Sequence, residues 1–135
     1  MKANFLSVTL AAGAMMLAAM PVLAHHSFAA EYDSAKPVTL QGAVTKVEWM
    51  NPHARFYVDV KDEGGKVTNW EFELGSPNGL MRQGWTRNSM KIGDTLVIDG
   101  YLAKDGSKLA NARNVKLADG RKLFAGSTTD GGPTK

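Results

Sequence analysis

From Val38 onward the chain alternates apolar and polar residues with period two, the pattern of strands that bury one face. Val38, Leu40 and Val44 hold the apolar set on even positions, which then moves to odd positions at Val47 and Trp49. Such a switch beside Gly42 predicts a bulge or a sharply coiled first strand. After the turn signal Asn51-Pro52, Ala54, Phe56, Val58 and Val60 alternate with Arg55, Tyr57, Asp59 and Lys61 as a second strand. The hairpin turn Asp62-Glu63-Gly64-Gly65 leads into a third, with Trp70, Phe72 and Leu74 on one face.

The period changes at Gly75-Ser76-Pro77-Asn78, where Ser76 suits a helix cap and Pro77 the first helical position. One short helix carrying Leu80, Met81 and Trp85 should end near Gly84. Beyond the turn Lys91-Ile92-Gly93-Asp94, a fourth strand turns Leu96 and Ile98 inward. Asp105-Gly106 turns the chain into a fifth over Asn111 to Leu117, and Asp119-Gly120 into a last one through Leu123 and Phe124. This order predicts an all-β fold, a small OB-like closed Greek-key barrel of five or six strands with one short helix between strands 3 and 4. An immunoglobulin-like sandwich, the main competitor, expects about seven strands and no helix in the middle.

The first 24 residues read differently. Lys2 supplies a positive start, Phe5 to Met20 an apolar run, and Pro21-Val22-Leu23-Ala24 a cleavable end, which together describe a secretory signal cut after Ala24. The run is short for a bilayer span, ends in a proline and has no basic cluster after it, so no membrane anchor is expected after cleavage. The expected organisation is therefore a cleaved signal (1–24), an N-terminal arm (25–36), a barrel domain (37–126) and a disordered tail (127–135), in a periplasmic or secreted protein. Of 135 residues, 135 − 24 = 111 remain, and the charge of +3 from 16 basic and 13 acidic residues becomes 15 − 13 = +2 once Lys2 is removed. A charge so small and dispersed does not suggest a nucleic-acid partner.

Several motifs together carry a resemblance: His25-His26-Ser27-Phe28, Val47-Glu48-Trp49 before Asn51-Pro52-His53, Gly75-Ser76-Pro77-Asn78, Gly84-Trp85, and Asp119-Gly120-Arg121 before Phe124-Ala125-Gly126-Ser127. The chain resembles a family of small exported bacterial proteins catalogued as a domain of unknown function. The resemblance spans the mature chain and implies an exported small β protein; it supplies no activity.

With no cysteine, disulfides, thiolate zinc sites and cysteine nucleophiles are excluded, and the three histidines become the informative residues. Cleavage after Ala24 would make His25 the first residue, so that its α-amine and imidazole could chelate one ion. A second imidazole, from His53 or the nearer His26, would complete a nitrogen set that suits copper(II). The arms 25–36 and 38–49 are equal about Lys36-Pro37, so a reversal there would bring His25 opposite Trp49 and beside His53. Glu31, Asp33 and Glu48 are candidates to accept from an imidazole N–H. A second constellation, Trp49, Tyr57 and Arg55, offers an aromatic face for a protein or glycan. No serine sits in a nucleophile-elbow context, and Glu71 with Glu73 reads as a solvated strand face. The sequence thus points to a non-catalytic exported binding protein, either of copper through His25 with His53 or His26, or of a protein or glycan without metal.

Overall fold

The computed structural model describes residues 28–127. The elements are α1 (Phe28–Glu31), β1 (Tyr32–Glu48), β2 (Arg55–Lys61), β3 (Val67–Glu73), α2 (Pro77–Arg82), β4 (Thr95–Ala103), β5 (Leu109–Lys116) and β6 (Lys122–Phe124). They form one six-stranded sheet in the order β3-β2-β1-β4-β5-β6, and a further pairing of β3 with β5 closes a ring of five strands. That closing seam is short and parallel, pairing Glu71 with Leu109, Phe72 with Ala110 and Glu73 with Asn111. The fold is all-β with one short helix between β3 and β4, as expected. The expected signal, residues 25–27 of the arm, and residues 128–135 of the tail lie outside the described residues.

β1 serves two neighbours in succession. Its first part pairs with β4 and its last part with β2, and Gly42 lies in both registers, opposite Leu96 and Val60. A Cβ there would stand 2.3 Å from the Asp59 carbonyl oxygen, so the crossing requires glycine. The register with β2 slips between Val44 and Lys46, which is the bulge that the change of parity predicts.

The arm departs from expectation. No reversal occurs at Lys36-Pro37: β1 already begins at Tyr32, opposite Ala103, and runs through Pro37, opposite Tyr101. Pro37 is tolerated because this exposed stretch carries a register irregularity, where a missing N–H breaks no regular ladder. Ahead of it, the four-residue α1 was not legible from the alternation.

Phe56, Val58, Phe72, Leu96, Ile98 and Val115 fill the interior of the ring, all with no exposed surface. Phe56 stacks on Phe72 at 5.1 Å between ring centroids. The helix α2 starts as its sequence dictates, with Ser76 Oγ accepting from the Gly79 N–H at 3.2 Å, and it stops where Gly84 takes a φ of +95°. Trp85 then turns back into the core and donates from Nε1 to the Phe124 carbonyl at 2.8 Å. A second, smaller apolar cluster lies apart from this core: Phe28, Tyr32 and Ala103, with Tyr101 and Leu109 against them.

Candidate functional site

The strand register assembles a polar row outside the ring. Arg55 on β2 lies opposite Glu73 on β3, Glu73 is in register with Asn111 on β5, and Asn111 lies opposite Tyr101 on β4. Because Phe56, Phe72 and Ala110 point inward, their neighbours in the chain point outward. The row would be a solvated sheet face were it not covered. Phe28 of α1 sits with its ring 5.6 Å from those of Tyr32 and Tyr101, and the Arg113 guanidinium lies 4.7 Å from the Phe28 ring centre. Glu73, Asn111 and Arg113 are consequently buried.

Glu73 is the hub of the site. Tyr32 Oη donates to Glu73 Oε2 at 2.8 Å, Arg55 Nη2 donates to the same oxygen at 3.2 Å, and His53 Nδ1 stands 2.5 Å from Glu73 Oε1. Arg55 also donates through Nη1 to Glu71, whose Oε1 accepts from Tyr57 Oη at 3.4 Å. His53 precedes β2 but is held in place by the ladder. Its neighbour Ala54 donates to the Gly75 carbonyl at 3.0 Å and accepts from the Leu74 N–H at 2.9 Å.

Burial pushes the Glu73 carboxyl up, but the hydrogen bonds with His53 and from Tyr32, and the charges of His53 and Arg55, outweigh it and hold the group below its ordinary value. Glu73 is therefore a buried carboxylate. Tyr32 moves the other way, raised first by burial and then by the charge and hydrogen bond of Glu73, so it remains a neutral hydroxyl donor. Among the described residues, the buried Asn111 Oδ1 of this row has no hydrogen-bond partner.

His25 and His26 lie outside the described residues, whereas His53 is brought directly onto Glu73. Two of the three carboxylates expected to support an imidazole have other partners: Glu48 pairs with Lys46 at 2.5 Å, and Asp33 Oδ1 accepts from the Ala35 N–H at 2.9 Å. Glu73, read from the sequence as solvated, takes that place. A signal for it was present: the Asp62–Gly65 turn fixes a hairpin in which the outward Arg55 faces the outward Glu73. Arg55 belongs to the site through this pair. Tyr57 lies lower on the same face with Lys46 Nζ 5.1 Å from its ring centre, and Trp49 lines an apolar crevice with Val47, Trp85 and Met90 at one end of the ring. Trp49 and Tyr57 are thus not brought together into one described cluster. Among the described residues, no group of three or more His, Asp or Glu side chains is placed to hold a metal ion.

The chain belongs to a family of unknown function (DUF6152), whose model matches residues 13–112. No curated protein and no solved structure matches it.

Proposed function

We propose that this is an exported, non-catalytic binding protein whose ring is a small OB-like barrel, and that it holds a late first-row metal ion, copper(II) foremost. In this reading the signal is cut after Ala24, and the ion is bound by the amine and imidazole of His25 with His53, or with His26. One observation carries the proposal: Tyr32 and His53 grip opposite oxygens of one buried carboxylate, at 2.8 and 2.5 Å. The start of the described chain is thereby anchored at the imidazole. Phe28 packs on Tyr32, and the reading asks a tether of three residues, up to ~10 Å, to carry His25 to His53. Nitrogen donors without thiolates suit copper(II) at the top of the divalent affinity order.

The test is a copper(II) titration of protein that begins at His25, beside a form with one extra Met ahead of it and a His53→Ala variant. Tight binding by the first that the extra Met weakens supports the proposal, and weakening in His53→Ala as well assigns the second imidazole to His53 rather than His26. Equal binding by all three, or none by the first, overturns it.

A further inference from the structure

We propose that Asn78-Gly79 is a latent deamidation site, and that the Ser76 cap and the seating of Leu80 keep it closed for as long as α2 is folded.

The chain has seven asparagines, and Asn78 alone is followed by glycine. That pair carries a reaction of its own. The main-chain nitrogen of Gly79, with no side chain beside it to block approach, can attack Cγ of Asn78. The new N–C bond closes a five-membered succinimide, and the side-chain nitrogen leaves as ammonia. Water then opens the ring at either of its carbonyls, giving aspartate by one route and isoaspartate by the other. Asn78 is exposed, so water reaches it.

The fold opposes the first step twice. Ring closure needs the Gly79 nitrogen released and the Asn78 backbone turned out of its helical conformation. In α2 the Gly79 N–H donates to Ser76 Oγ at 3.2 Å, and the Leu80 N–H donates to the Ser76 carbonyl at 2.9 Å. Asn78 sits between Pro77 and Leu80, both buried, and Leu80 has no exposed surface. It cannot turn without lifting Leu80 from the core. Against these anchors, α2 is only six residues long and holds a glycine within it, so propensity adds little to its hold. The reaction therefore waits on the opening of α2.

The two products then pull α2 in opposite directions. Aspartate sets a carboxylate in a first turn that has no acid, four residues before Arg82, and both placements favour the helix. Isoaspartate adds a methylene to the main chain and breaks the helical spacing of donors and acceptors. The Leu80 carbonyl accepts from the Trp85 N–H at 3.0 Å, and both side chains belong to the core, so that break reaches the end of the ring. Asn78 thus ties the closure of this end to a one-way chemical step.

The test incubates the full chain at mildly alkaline pH, folded and in urea, beside Ser76→Ala, Ser76→Thr and Gly79→Ala. Mass spectrometry of the peptide that contains Asn78, with isoaspartate labelling, reads the reaction. The native chain should react slowly when folded and fast in urea. Loss of the cap should make folded Ser76→Ala react about fivefold faster than the native chain, with no difference between them in urea. Ser76→Thr, which keeps the acceptor, should return the native rate, and Gly79→Ala should be slow in both states. Equal rates for the native chain folded and in urea overturn the proposal, and so does a folded Ser76→Ala protein that reacts no faster. The native comparison decides the protection even if Ser76→Ala does not fold.

Discussion

Phe72 and Glu73 are neighbours in the chain and both are buried, one on each side of β3. Phe72 faces a packed apolar interior, in which its neighbours attract it without regard to direction. Glu73 faces three directional partners beneath an aromatic cover. The difference teaches what each side tolerates. An interior of this kind accepts another side chain of similar shape, whereas a buried carboxylate tolerates loss of its partners badly and joint removal of the whole set rather well.

The largest expected effect is on the interior. Phe72→Ala should cost about 3–5 kcal/mol in urea unfolding, since the stacked Phe56 and the walls of the ring cannot collapse onto the space. Glu73→Leu should cost somewhat less, about 2–3 kcal/mol, because the stranded Arg55 is partly solvated and recovers some hydration. The comparison is sharpened by adding Arg55→Leu: the double variant should regain part of the loss, and a strictly additive result would show that the two do not act as a pair.

A smaller effect follows from protonation. Because the folded Glu73 carboxyl lies below its ordinary value of 4.5, its stabilising contribution is complete above that pH and is lost as pH falls through the lower folded value. Urea midpoints measured stepwise into acid should decline less steeply in Glu73→Gln than in the native chain within that window. Identical slopes would remove Glu73 from the account of acid sensitivity. The smallest effect belongs to the exposed Lys46–Glu48 pair, where Lys46→Ala should leave the urea midpoint unchanged and insensitive to salt.

The two sides of β3 were not equally legible. Alternation placed Phe56, Val58, Phe72, Leu96 and Ile98 inward, and Gly42 with the change of parity at Val44 announced the bulge. Those features are local, written within a few residues of where they act. The burial of Glu73 depends on Tyr32, 41 positions away, and on Phe28 in a single turn of helix too short to leave a periodic signal. Parity could say only that Glu73 points away from the core. Whether water or protein lies there is settled by the course of the arm, which runs straight through Pro37 into β1 and which alternation does not specify.

The β3–β5 seam has a thermodynamic consequence. It is the joint at which the hoop of strands shuts, and it spans only three paired positions, one of which is Glu73 with Asn111. Under the proposed reading, an occupant held by His53 would be tied to that joint through Glu73. Linkage converts occupancy into cohesion, about 2.7 kcal/mol at a hundredfold excess over the dissociation constant. Amide protons of Glu71, Asn111 and their seam partners should then exchange most slowly in the loaded protein, which makes hydrogen exchange at this joint a gauge of loading that needs no knowledge of the cargo.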